Sequence, residues 1–159
     1  GKHPATRAIH FGQEVEEETG AIVTPVYTSS IYELNSENVS HPKNALYGRF
    51  RNPTRNPLEE CIISLENGQN GVAFCSGVAA IQAIINTYKV GSRILCAEDA
   101  CGGTHEMVRD VCGKMQGYEI EFVDINDFEA LKDHLKKETK LVIAESISNP
   151  MLKVTDIQK

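Results

Sequence analysis

From Gly71 to Ala144 the chain alternates short apolar runs with longer amphipathic stretches, and this alternation constrains its fold more than any other feature. The runs are Gly71-Val72-Ala73-Phe74, Ile94-Leu95-Cys96-Ala97, the alternating Glu119-Ile120-Glu121-Phe122-Val123, and Leu141-Val142-Ile143-Ala144. Brief, almost continuously apolar segments suit strands buried on both faces of a sheet. Between them, Ser76-Gly77 opens a helix with Ile81, Ile84, Ile85 and Tyr88 on one face, and Gly102-Gly103-Thr104 leads another carrying Val108, Val111 and Met115. Asn126, with Glu129 three residues on, predicts a capped helix whose Phe128, Leu131 and Leu135 point inward. Ahead of the first run, Asn56 is expected to cap a helix that begins at Pro57, buries Leu58, Cys61, Ile62 and Leu65, and stops at Asn67-Gly68. Strand and helix in alternation require right-handed crossovers, so the expected class is α/β: a mainly parallel sheet covered by helices on both faces.

Residues 1–55 follow a different rule. Apart from a β-leaning stretch, Ala21 to Tyr27, they are irregular, with polar turn segments at Asn35-Ser36-Glu37-Asn38 and Ser40-His41-Pro42-Lys43-Asn44. A compact domain seldom carries so long a segment without periodicity unless it wraps a partner or builds a site. The expected organisation is therefore an extended N-terminal arm over 1–55 and a regular α/β portion over 56–159.

Composition excludes several classes of function. Sixteen basic residues against 22 acidic ones give a net charge of −6, which argues against a nucleic acid or an anionic membrane as partner. No stretch reaches the roughly 18 apolar residues of a membrane span and the N-terminus has no apolar signal core, so a cytoplasmic location is expected. The cysteines at 61, 75, 96, 101 and 112 are odd in number and include no Cys-x-x-Cys, so neither a disulfide framework nor a metal site is expected.

In a parallel sheet, ligands bind beyond the carboxyl ends of the strands. The segments to examine are thus Cys75-Ser76-Gly77-Val78, Asp99 to Thr104, Asp124, and Glu145-Ser146-Ile147-Ser148-Asn149-Pro150. Ser76-Gly77-Val78 combines a hydroxyl, a glycine and free helix-terminal amides, which together can hold a phosphate; the same residues also make an ordinary helix cap. Neither G-x-G-x-x-G nor the Walker pattern is present, so a dinucleotide or ATP site has no positive support.

Taken in order, Tyr47-Gly48-Arg49-Phe50-Arg51-Asn52-Pro53-Thr54-Arg55, then Cys75 to Ala80, then Gly102-Gly103-Thr104, then Glu145 to Pro150, resemble one family. That family is the pyridoxal-phosphate-dependent enzymes of cysteine and methionine metabolism, and the likeness is nearest to its cystathionine gamma-lyase branch. The resemblance implies the large-domain portion of a fold-type I enzyme. It implies that Ser76, Gly77 and Val78 hold the cofactor phosphate, and that Tyr47 and Arg49 reach the phosphate of a neighbouring subunit, so that the arm crosses within a homodimer or homotetramer. Asn149 corresponds to the residue beside the cofactor ring hydroxyl and the substrate carboxylate. Cys101 stands where the family usually has a tyrosine stacked on the ring. Tyr47, Arg49, Cys101 and Asn149 are also the implied contacts to an amino-acid substrate.

The implied reaction is α,γ-elimination, cleaving cystathionine to cysteine, 2-oxobutanoate and ammonia. Cystathionine beta-lyase, gamma-synthase and methionine gamma-lyase share these motifs. By the same resemblance the Schiff-base lysine, the aspartate facing the pyridinium nitrogen and the carboxylate-binding arginine correspond to positions beyond Lys159, so no catalytic residue is expected among those present. A catalytically inert homologue acting as a binding or pairing module is the reading from another class. The resemblance further implies that the strand at 71–74 is separated from the other three by strands later in sequence.

Overall fold

A computed structural model describes residues 3–33 and 47–158; the polar turn segments expected at 35–38 and 40–44 lie outside the described residues. The chain forms two compact units that divide between Ala73 and Phe74.

In the first unit, a helix that periodicity does not reveal, α1 (Pro4–His10), packs against α2 (Asn56–Glu66). Proline begins α1 and the His3 ring accepts a hydrogen bond from the Ala5 amide at 3.3 Å. Arg7 Nη1 donates to the carbonyl of Ser64, and Cys61 Sγ lies 3.6 Å from the Arg7 carbonyl, so polar contacts tie the two helices together. Helix α2 ends as expected, with Asn67 left-handed at φ 52°. Its start differs from expectation. Arg55 occupies the cap position without a side-chain cap bond, and Asn56 Oδ1 instead accepts from the Asn52 amide at 3.2 Å. Cys61 and Leu65 are half-buried, whereas Leu58 and Ile62 remain exposed.

The second unit is the α/β part: α3 (Gly77–Ile85), β1 (Arg93–Ala97), α4 (Gly102–Glu106) running into a π-helical stretch (Met107–Met115), β2 (Glu119–Val123), α5 (Phe128–His134) and β3 (Thr139–Ile143). The sheet is parallel with strand order β2-β1-β3, so the chain starts at the centre, moves to one edge and then crosses over to the other. Every residue of β1 is buried, which is the signature of a central strand covered on both faces. Ile94, Leu95 and Cys96 form the core with Ile85, Val108, Cys112 and Val123.

Three expectations are corrected here. Gly71 to Phe74 is not a strand: no ladder partner exists among the described residues, and the Ala73 amide donates to Glu59 Oε1 at 2.9 Å instead. Met115 does not face inward. The helix widens to i→i+5 bonding, as in Gln116 N–H to the Val111 carbonyl, and this winding turns Cys112 into the core and leaves Met115 79% exposed. The cap of α5 is Asp127 rather than Asn126, its carboxylate accepting from the Ala130 amide at 3.0 Å; Leu131 packs on the core, while Leu135 falls beyond the helix and is exposed.

Candidate functional site

Helix α3 starts at an extended serine. Ser76 has φ −157° and ψ 159°, and its Oγ accepts from the Ala79 amide at 3.1 Å, while its carbonyl accepts from Ala80. The cap thus consumes the third and fourth amides of the helix. Those of Gly77 and Val78, earlier in the first turn, have no acceptor among the described residues, as helix geometry dictates. A side chain placed on Gly77 would meet nothing within 4 Å, so the approach to these two amides is open. Two unpaired N–H groups at the positive end of a nine-residue helix, beside a hydroxyl, suit a phosphate group. The hydroxyl is held by the cap itself, through the Ala79 amide.

The loops after β1 and β3 meet close by. Cys101 is exposed and caps α4 through backbone geometry alone, with φ −48° and ψ 136°. Its amide donates to Glu145 Oε1 at 2.9 Å, tying the loop that follows β1 to the end of β3. A Cβ on Gly103 would lie 3.5 Å from Val78 Cγ2, so the start of α4 abuts the start of α3. Asn149 is exposed in a short reversal closed by Ser148 N–H to the Lys153 carbonyl (2.9 Å) and Thr155 N–H to the Ser146 carbonyl (3.0 Å), with a cis Asn149–Pro150 bond. Ser148, buried beneath it, accepts from the Lys153 amide through Oγ at 3.2 Å. Glu145 has a second effect: burial first, and the Glu145 charge next, push the Cys96 thiol up to about 12.

Tyr47 and Arg49 belong to the first unit. Tyr47 pairs with Ile31 in an isolated antiparallel bridge and starts a tight turn, its carbonyl accepting from the amides of Phe50 and Arg51. The Arg49 guanidinium sits 4.9 Å from the Tyr47 ring centroid, and Phe50 meets the same ring edge-on at 6.2 Å. The later residues of the same motif hold the turn. Asn52 Oδ1 accepts from the Thr54 amide, Thr54 Oγ1 donates to the Pro25 carbonyl and accepts from the Tyr27 amide at 2.7 Å, and Arg55 donates to the carbonyls of Gly48 (3.2 Å) and Phe50 (2.9 Å). From the sequence, Asn52, Thr54 and Arg55 stand only as members of the motif, Glu59 only as an acid in the first turn of its helix, and Glu145 only as part of a segment at the carboxyl end of the sheet. The i,i+4 spacing of Arg55 and Glu59 was the one available signal; the bonds to distant carbonyls leave none.

Comparison with known proteins agrees with this geometry. The family profile described as Cys/Met metabolism PLP-dependent enzyme matches residues 5–159. The chain is 42% identical over 154 residues to a cystathionine beta-lyase of Lactococcus lactis subsp. cremoris, covering 97% of this chain and 40% of that protein. It is 42% identical over 156 residues to a protein named putative cystathionine gamma-lyase 2 of Caenorhabditis elegans, covering 98% of this chain and 39% of that one. The crystal structure of metB from Corynebacterium glutamicum superimposes with a TM-score of 0.89 at 35% identity, covering 99% of this chain and 40% of that chain. A helix start with two open amides at the carboxyl end of a parallel sheet, in a chain with these relatives, defines the class: the chain belongs to the pyridoxal-phosphate-dependent enzymes of cysteine and methionine metabolism. It spans about 40% of the length of the curated relatives it matches.

Proposed function

We propose that this chain forms the phosphate-binding and subunit-crossing portion of a carbon–sulfur lyase of transsulfuration, with cystathionine as substrate and α,γ-elimination as its reaction. The observation that carries the reading is the pair of open first-turn amides of Gly77 and Val78. In this reading they bind the cofactor phosphate, with Ser76 alongside, and Tyr47 and Arg49 complete its charge neutralisation from a neighbouring copy in a homodimer or homotetramer. Arg49 suits that task because a guanidinium presents a planar fork of donors to phosphate oxygens. Asn149 lies beside the ring hydroxyl and the substrate carboxylate, and Cys101 lies against the ring. The bound pyridoxal phosphate supplies an electron sink for charge developing on the amino-acid substrate. Residues 1–55 act as the crossing arm and 56–159 as part of the large domain. A cytoplasmic location belongs to the same reading.

Relatives named beta-lyase and gamma-lyase stand at similar identity, so the bond broken is the point to test. Cystathionine offered to the full-length protein is expected to yield cysteine, 2-oxobutanoate and ammonia. Homocysteine with pyruvate would make it the beta-lyase instead, and no release of either keto acid from a pyridoxal-phosphate-loaded preparation would defeat the proposal. Methionine and an activated homoserine ester as second substrates separate the two remaining family activities.

A further inference from the structure

The turn that presents Tyr47 and Arg49 is short, and its own backbone bonds to the Tyr47 carbonyl do not set its direction. The Tyr47–Ile31 bridge and the Gly48 amide, which donates to the Ser30 carbonyl at 2.8 Å, hold its start, and the side chain that reaches it from outside is Arg55. From the start of α2 that side chain sends Nη1 to the Gly48 carbonyl and Nη2 to the Phe50 carbonyl, on either side of Arg49, while Nε pairs with Glu59 Oε1 at 3.0 Å. The same Glu59 oxygen accepts the Ala73 amide at 2.9 Å, so one carboxylate joins the turn, helix α2 and the last residue of the first unit. Arg55 is 30% exposed and Glu59 15%, so the pair is partly shielded from water.

We propose that Arg55, braced by Glu59, is a positioning residue for phosphate recognition: it fixes the backbone on both sides of Arg49 so that Tyr47 and Arg49 meet the cofactor phosphate preorganised. The inference rests on the proposed phosphate contact of Tyr47 and Arg49. A lysine in place of Arg55 keeps the charge and reaches Glu59, but a single ammonium lacks the fixed fork that bonds two carbonyls at once.

The test is a titration of the full-length apoprotein with pyridoxal phosphate and, separately, with pyridoxal, which lacks the phosphate. Arg49→Ala and Arg55→Lys are each expected to weaken pyridoxal phosphate about tenfold, the loss of a charge-assisted contact, and to leave pyridoxal binding unchanged. The double variant is expected to lose less than the product of the two single losses, because both act through one contact. Weakened binding in Arg49→Ala with none in Arg55→Lys overturns the role of Arg55 and leaves the phosphate contact standing. Equal losses for both ligands in Arg55→Lys also overturn it, since they report general damage to the fold. No loss in either variant defeats the phosphate contact itself. Glu59→Gln keeps both carbonyl bonds and serves if Arg55→Lys does not fold; a loss of about threefold confined to pyridoxal phosphate is expected, and no loss overturns the proposal.

Discussion

Cys101 and Cys96 sit five residues apart and show how placement separates two identical side chains. Cys101 is exposed at the head of α4, where its amide is tied to Glu145 but its thiol offers no π-face to a ring. Cys101→Tyr is expected to tighten pyridoxal phosphate binding about fivefold, the worth of a stacked ring pair, as read from the dissociation constant of the full-length protein. An unchanged constant would remove Cys101 from the ring contact. Cys96 is fully buried in β1, and its thiol is pushed from an ordinary 9.0 up to about 12. The folded value lies above the unfolded one, so the protonated thiol's contribution to stability is complete below 9.0 and is lost as pH rises toward about 12. Cys96→Ala should therefore flatten the alkaline fall in stability by about 1.4 kcal/mol per pH unit inside that window, measured by urea unfolding across pH. The identity of both cysteines is plain in the sequence, and an apolar run already predicts a buried Cys96; that Glu145 acts on both positions is a fact of folding.

At the scale of elements, what the chain announces locally is mostly what forms. The C-terminal end of α2, the Ser76 cap that starts α3 and the three strands from Arg93 onward follow from turn residues and apolar runs. The departures have one common cause. Asn126 and Asp127 are both good caps, and the choice falls to Asp127 because Asp124 Oδ1 already accepts the Asn126 amide at 2.9 Å, bending the chain one residue earlier. Asp127→Ala is accordingly expected to cost about 1 kcal/mol in thermal or urea unfolding, and Asn126→Ala a few tenths. Equal costs would return the cap to Asn126. The π-helical stretch shows the same dependence on surroundings: Gly113 lies against Ile120, where an added Cβ would come within 3.2 Å of Cγ1, so the helix meets β2 at the point where its winding is wide.

Across the whole molecule the parallel sheet has two chemically distinct ends. The carboxyl end carries the loops of Cys101, Asp124 and Glu145; the amino end is locked by Arg93, which is 4% exposed. Arg93 pairs with Glu119 at 2.6 Å and with Glu121, and Glu121 Oε1 lies 2.6 Å from His134 Nδ1, joining β1, β2 and α5 in one polar cluster. Arg93→Ala strips the buried cation from two carboxylates and is expected to cost about 3 kcal/mol of unfolding free energy while leaving the affinity for pyridoxal phosphate unchanged. A cofactor defect without a stability loss would mean the two ends are not separate. The residue pattern alone determined the α/β class, three of the four expected strand segments, the Ser76 cap of α3 and the family, because propensity, capping and glycine openings act over a few neighbouring residues. Only the tertiary structure decided that β1 is central, that Gly71 to Phe74 has no ladder among the described residues, and that Arg55, Glu59 and Glu145 are braces. Each of these depends on which backbone groups, tens of residues away, come within hydrogen-bonding distance, and no local pattern carries that distance.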